Sequence, residues 1–341
     1  MADDIQISVR RSPLRRLTGV QIAGTGSFVP DNVVTNEMLA SLGCDADWII
    51  QRTGIRERRH APASMSTSDM AVAAAERCLK AAGVDCREID LLIVGTLSPD
   101  YLLPATATAV QDRLGLNCAA MDLSAACAGF MYAYITGAQF IAAGTSRCAL
   151  VIGADTNSRV MNPDDKKTWP LFGDGAGAVL LVKGSEEQGL ISYTLGADGA
   201  GTELLIRPAG GSRVPLAPPP ACTDTNWFVK MSGRPVFKWA VRLIEDSSRH
   251  VLEGAGLKTS DVDLWLLHQA NIRILDAAVD ALGIDRDKVA IHLDRYGNTS
   301  AGSVPIALDE SLRAGRFERG DLLLLCGFGG GLSWGTALVR W

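Results

Sequence analysis

Several familiar signatures are missing from this chain. No apolar signal region opens it, so a cytoplasmic protein with reduced thiols is expected. Eight cysteines, at 44, 78, 86, 118, 127, 148, 222 and 326, form no CxxC pair and no metal-ligand spacing, so no metal is expected. The basic excess of a general nucleic-acid binder is absent: 33 Lys and Arg against 38 Asp and Glu leave a formal charge of -5. Gly24-Thr25-Gly26 follows a strand-like run, but Val29 and Pro30 stand where a dinucleotide fingerprint requires its third glycine. Arg10, Arg11, Arg15 and Arg16 cluster near the start, yet Asp3 and Asp4 argue for a frayed tail over a targeting arm. Histidine is scarce, with four residues at 60, 250, 268 and 292.

What is present is ordinary globular material. Hydrophobic residues make up 47% and charged residues 21% of 341 residues, a length that suggests two to three domain-sized units. The chain is organised around residues 121–144, where no charge follows Cys127 until Arg147. A helix that is apolar all round belongs inside a protein. This one is too short to span a bilayer comfortably, and Thr136 and Gln139 interrupt it. Cys127 falls at its N-terminus, where the helix dipole favours an anion and lowers a thiol pKa. Cys127 is then either such a nucleophile or an inert core cysteine.

The remaining pattern is α/β. Residues 20–24 read as a first strand, 68–82 as a serine-capped helix, 90–95 as a buried strand, 104–114 as a helix and 148–153 as another buried strand. Strands with near-continuous apolar runs, alternating with helices, indicate largely parallel sheets. The chain also echoes itself. AGVDCREIDLLIV at 82–94 returns as AGLKTSDVDLWLL at 255–267, and Gly177-Ala178-Val179-Leu180-Leu181 returns as Gly335-Thr336-Ala337-Leu338-Val339. Two echoes in the same order predict a duplicated architecture. The junction falls near 186–191, giving an N-terminal extension 1–16, a first half 17–187 and a second half 188–341. A Pro- and Gly-rich stretch, 208–226, predicts a long surface loop or lid, and a helix resumes over 237–254.

Few side chains are placed for chemistry. His60 and His250 sit among charged neighbours and read as solvated, and His292 reads as structural. His268 follows the buried strand 264–267, at the carboxyl edge where parallel sheets gather ligands, so it is either catalytic or a satisfied core histidine. Residues 296–303, YGNTSAGS, have turn and capping chemistry. The glycine run 327–331 lacks a phosphate-loop lysine but lets backbone N–H groups approach a ligand, as an oxyanion hole needs. Gly173-Asp174-Gly175 reads as a tight turn, and Trp169-Pro170 has no evident role.

Taken together, SAACAGF around Cys127, LLHQANIRI around His268, YGNTSAGS around Asn298 and the terminal GFGGGLSWGTALVRW resemble the β-ketoacyl-acyl-carrier-protein synthase III family of thiolase-fold condensing enzymes. The resemblance covers residues 17–341 and implies an α/β thiolase-like fold, with duplicated halves in a five-layered αβαβα architecture, in a homodimer. It implies decarboxylative condensation of an acyl-CoA primer with malonyl-acyl-carrier protein, initiating fatty-acid synthesis. It implies no cofactor, coenzyme A thioester being a substrate, and neither a nucleic-acid nor a membrane partner. Cys127 would take the acyl group, His268 and Asn298 would stabilise the enolate, and the N–H groups of Cys127 and Gly330 would form the oxyanion hole, each worth about 3 kcal/mol. Trp48, Arg52 and Lys166 would bind coenzyme A, Phe172 would border the tunnel, and Arg234, Lys238 and Arg273 would flank its mouth. Lys166 stands where arginine is common, and Leu103 stands where many members place an aromatic residue in the partner's primer pocket. The alternatives are a condensing or acyl-transfer relative from secondary metabolism and a non-catalytic thiolase-fold subunit, which would have no need of Cys127.

Overall fold

The apolar runs become strands buried on both faces beneath helices, but the sheets are mixed and not largely parallel as expected, with three of the eight pairings in the two five-stranded sheets parallel. The computed structural model describes residues 11–215 and 225–341, so Arg10, Cys222 and the centre of the 208–226 stretch lie outside the described residues. One sheet has the order β2-β8-β7-β5-β6, from β2 (Val20–Phe28), β5 (Leu91–Gly95), β6 (Ala119–Leu123), β7 (Cys148–Asp155) and β8 (Gly175–Lys183). The other has the order β1-β9-β14-β13-β12, from β1 (Arg15–Thr18), β9 (Gly189–Ala197), β12 (Leu264–Leu267), β13 (Leu322–Gly329) and β14 (Ser333–Arg340). Two short ribbons, β3 (Val33–Thr35) with β4 (Glu57–Arg59) and β10 (Leu205–Ile206) with β11 (Lys230–Met231), lie outside the sheets.

The sheets are copies of one design. In each, an antiparallel pair leads to a third antiparallel strand and then a parallel one: β2-β8-β7-β5 matches β9-β14-β13-β12. The copies part at their edges. β6 has as its counterpart only the single parallel bridge between Trp265 and Val289, while β1 adds to the free side of β9.

Both sequence echoes fall on matching places. Gly83 (φ 66°) and Gly256 (φ 70°) end α2 (Thr67–Ala82) and α5 (Gly233–Ala255) in the left-handed conformation that glycine tolerates. A 3-10 turn and a buried strand follow each. The echoed aspartates then make the same clasp. Asp90 N–H donates to the Cys148 carbonyl (3.0 Å) and its carboxylate accepts the Cys148 N–H (3.2 Å). Asp263 does the same with Leu322, at 2.9 and 2.8 Å. The second echo lies at corresponding points of β8 and β14.

Five layers result. α4 (Gly129–Ala142) and α8 (Ser303–Arg313) pack between the sheets, among Ile93, Val151, Leu181, Leu266, Leu325 and Val339. The alternate residues of the first sheet, such as Leu92, Leu150 and Leu180, face α2 and α3 (Thr106–Arg113). Those of the second, such as Trp265, Leu324 and Leu338, face α5 and α6 (Ile272–Leu282). α1 (Ala46–Thr53) and the single-turn α7 (Leu293–Tyr296) lie at the periphery. Among the described residues, no helix is long and apolar enough to cross a membrane.

Two helices begin earlier than expected. α2 is capped by Ser66, earlier than expected, because the Asp69 carboxylate accepts both its N–H and its hydroxyl at 2.6 Å. α5 begins at Gly233, ahead of 237, because Pro235 lies in a first turn that needs no intrahelical donor from it.

Candidate active site

Cys127 does stand before the central helix, in a 3-10 turn (Ala126–Ala128) that runs straight into α4. Ala126 adopts φ 48°, an uncommon conformation for a residue with a side chain, which turns the chain sharply out of β6. The thiol is buried, and the Ser300 hydroxyl donates to its Sγ at 3.2 Å. The helix end predicts a depressed thiol pKa; the structure places the group where burial dominates and pushes it up to about 12, with the Ser300 hydrogen bond pulling the other way.

His268 leaves β12 with its N–H bonded to the Cys326 carbonyl (2.8 Å), and its ring packs edge-on against Phe328. Nδ1 lies 2.6 Å from the Ser303 hydroxyl, at the first residue of α8. Burial, with a smaller effect of neighbouring His292, pulls the imidazole pKa down to about 3, so the ring is neutral. Asn298 sits where two chain segments cross: its N–H donates to Leu171 (2.8 Å) and its carbonyl accepts from Gly173 (3.1 Å). Its side-chain Oδ1 accepts the Ser300 N–H at 2.8 Å, which leaves the NH2 group for the cavity.

These residues share one cavity of about 180 Å³, lined by Cys127, Phe172, His268, Asn298, Phe328 and Gly329 on its deep side. Its wall is completed by apolar side chains of α5, among them Val236, Phe237 and Trp239. Gly329 packs against Cys127 so closely that a Cβ there would lie 2.7 Å from the Cys127 nitrogen. Gly330 is next to it, beneath the Leu205 carbonyl. No carbonyl among the described residues takes the N–H of Cys127 or of Gly330 outside the regular strands and helices.

The other expected site residues do not line this cavity. Arg273 lies 5.8 Å over the ring of Phe237, and the Arg52 carbonyl accepts from Asn271, both cavity residues. Arg52 also stacks 5.4 Å over the half-exposed Trp48. Arg234 and Lys238 are exposed on α5 beside the lining residues, and Lys166 is exposed on a loop. Leu103 is 87% exposed, at the end of an apolar tip with Tyr101 and Leu102, away from the cavity.

Two histidine expectations need correction. His60 is buried, with Nε2 3.3 Å from the Phe172 carbonyl and its ring against Trp169; burial lowers its pKa. Trp169 thereby gains a role, packing between the Ile49 and Phe172 clusters. His250 is half-buried, with Nε2 3.1 Å from the Ser12 carbonyl. His292 is buried, with Nε2 3.0 Å from the Ser303 carbonyl and no partner for Nδ1 among the described residues. Sequence reasoning also missed Ser300, Ser303 and Asp155. The two serines were visible as turn formers in YGNTSAGS, and Asp155 as a carboxylate at the end of a wholly apolar strand.

A duplicated five-layered α/β core, with a buried cysteine from one half facing a histidine and an asparagine from the other, is the architecture of the thiolase-fold condensing enzymes. The family model described as 3-Oxoacyl-[acyl-carrier-protein (ACP)] synthase III matches residues 121–199, and its C-terminal counterpart matches residues 252–341. The chain is 52% identical to the beta-ketoacyl-[acyl-carrier-protein] synthase III of Rhodopirellula baltica, covering 95% of this chain and 99% of that protein. It is 48% identical to that of Desulfitobacterium hafniense, over 95% and 98%. The crystal structure of the Thermus thermophilus enzyme superposes with a TM-score of 0.88 at 41% identity, covering 94% of this chain and 98% of that one. The chain belongs to the beta-ketoacyl-[acyl-carrier-protein] synthase III family, and it is a condensing acyltransferase that initiates fatty-acid synthesis.

Proposed function

We propose that acyl-CoA and malonyl-acyl-carrier protein use the cavity in turn, each reacting with a different part of it. Cys127 attacks the acyl-CoA carbonyl; the new S–C bond replaces the bond to coenzyme A, whose sulfur leaves with the proton. The N–H groups of Cys127 and Gly330 receive the oxyanion. Malonyl thioester then loses carbon dioxide, and the enolate carbon attacks the acyl group and expels the Cys127 thiolate.

The aim of the two donors carries this reading. Asn298 has its oxygen committed to Ser300 and its NH2 free. The Ser303 hydroxyl accepts the Gln269 N–H (3.4 Å); with its own proton turned to His268 Nδ1, the ring proton stands on Nε2. Both groups then meet a thioester oxygen as neutral donors where negative charge develops.

The two halves, 17–187 and 188–341, thus divide the labour, one supplying the nucleophile and the other the donors. Trp48, Arg52 and Arg273, with Lys166, Arg234 and Lys238, supply stacking and positive charge for coenzyme A and an acidic carrier. The exposed Tyr101-Leu102-Leu103 tip supports a second copy covering it, and free thiols at the seven described cysteines suit a cytoplasmic site.

Intact-mass measurement tests the division of labour. His268→Ala and Asn298→Ala should gain the acyl mass from acyl-CoA, then stall with malonyl-carrier protein, losing about a hundredfold or more in carbon dioxide release. Cys127→Ala should show no adduct. Loss of acylation in His268→Ala would make the histidine the activator of the cysteine and overturn this scheme.

A further inference from the structure

The turn that precedes α8 repeats the turn that precedes α4. Ala126–Ala128 opens with φ 48° three residues before Gly129, and Ser300–Gly302 opens with φ 53° three residues before Ser303. These are the two non-glycine residues of positive φ among the described residues. The first turn carries Cys127; the second brings the Ser300 hydroxyl to 3.2 Å from its sulfur.

The second turn is held firmly. Ser300 N–H is fixed by Asn298 Oδ1 (2.8 Å), and the next N–H, that of Ala301, by Asp155 Oδ2 (3.0 Å). Asp155 is wholly buried at the end of β7, and its other oxygen accepts from Thr96, Leu97 and Ser98. Gly153 allows the turn to lie directly on β7, because a Cβ there would meet the Ala301 carbonyl at 2.3 Å. A side chain kept in a sparsely populated conformation by so many bonds is a position where the fold holds strain in the service of a site.

We propose that Ser300 is a further catalytic residue, donating a hydrogen bond from its hydroxyl to the Cys127 sulfur whenever that sulfur carries negative charge. The inference rests on Cys127 being the nucleophile. Negative sulfur occurs twice in the cycle: when the thiolate attacks acyl-CoA, and when it leaves as the new carbon–carbon bond forms. The hydroxyl keeps its proton in both steps. In this buried place water cannot solvate the charge, so a single fixed donor has a large effect. The Ser300 hydroxyl also borders the Asp155 carboxylate. The structure directs that one proton at Sγ, and charge growing on the sulfur strengthens this bond against the pull of the carboxylate.

The test uses two variants. Ser300→Ala removes the hydroxyl without new strain, since Ala126 already holds the same conformation in this chain. Ser300→Gly removes the hydroxyl and relaxes the backbone, and it serves should the alanine variant fold poorly. Iodoacetamide alkylation of Cys127 is followed from pH 6 to 10, acyl uptake by intact mass, and carbon dioxide release from malonyl-carrier protein. Both variants should be alkylated and acylated about ten- to a hundredfold more slowly at neutral pH, the scale of one hydrogen bond to a charged group. Their alkylation profile should shift to higher pH, and acylation should fall further than decarboxylation. Wild-type profiles in both variants would overturn the proposal. So would an equal fall in decarboxylation, which would put the effect in Asn298. Wild-type protein that gains no acyl group at Cys127 would instead remove the nucleophile assignment itself.

Discussion

The guanidinium of the fully buried Arg58 donates to the Pro170 carbonyl at 2.8 Å, from beneath the crossing that presents Phe172 and Asn298 to the cavity. The same group holds Asn36 Oδ1 (2.7 Å) and the Val34 carbonyl (3.1 Å). Burial lowers its pKa to about 10, so it stays charged at neutral pH. Arg58→Ala should cost about 3–5 kcal/mol, by leaving two buried acceptors and the part-buried Val34 carbonyl unpaired, and lower the melting temperature by on the order of 10 °C. Arg58→Lys should recover only part, because an ammonium lacks the planar fork. An unchanged melting temperature in Arg58→Ala would contradict this.

His268 makes a prediction about pH. Its folded pKa, about 3, lies below the usual 6.5, so the ring remains neutral throughout the working range. Carbon dioxide release from malonyl-carrier protein should therefore show no inflection near pH 6.5 between pH 8 and 5. Stability behaves differently. The unfolded chain binds the proton first, so the contribution is complete above about pH 6.5 and is lost as pH falls toward 3, by up to about 1.4 kcal/mol per unit. Denaturant midpoints should fall more steeply with acid in wild type than in His268→Asn. Parallel slopes would count against a buried neutral imidazole.

Gly329→Ala should displace Cys127 directly. The added Cβ would lie 2.7 Å from the Cys127 nitrogen and 2.8 Å from its Cβ, and neither atom can swing away. Displacing the turn should slow acyl uptake by about a hundredfold. Time-resolved intact mass checks it, and wild-type uptake would mean that the turn yields.

Leu103 concerns primer choice. In the proposed dimer, Leu103 on the exposed tip fills less of the partner's pocket than an aromatic side chain would, so primers longer or more branched than acetyl should enter. One methylene is worth about 1–3 kcal/mol of discrimination. Acetyl-CoA competed against isobutyryl-CoA gives the readout, and a strong acetyl preference unaltered by Leu103→Phe would sink the idea.

The duplication was legible because the same backbone solution needs the same residues twice. A left-handed glycine must end α2 and α5, and an aspartate must clasp the next strand. The places of Cys127 at a helix start and His268 at a strand end were legible, but position alone left their roles open, and Asn298 stood out only through the family resemblance. The surroundings of Arg58 and His60 were not. In RERRHAP both look solvated, yet their partners are carbonyls of Val34, Pro170 and Phe172, which no local pattern announces. The Cys127 pKa was misjudged for a related reason: a helix terminus can be read locally, whereas burial depends on every segment that closes over the sulfur.

The paired turns before α4 and α8 have a consequence for how such a site changes over evolutionary time. The reactive centre lies on a seam, with one lip from each copy of an ancestral unit. On the proposed roles, substitutions on the lip around Ala126 alter how a group is captured, while those at Asn298, which leads into the second turn, alter how the captured group is used. The two lips answer to different substrates. Either can drift toward a new one while the other keeps its trade, and a lineage can acquire new chemistry at one lip without first losing the old at the other.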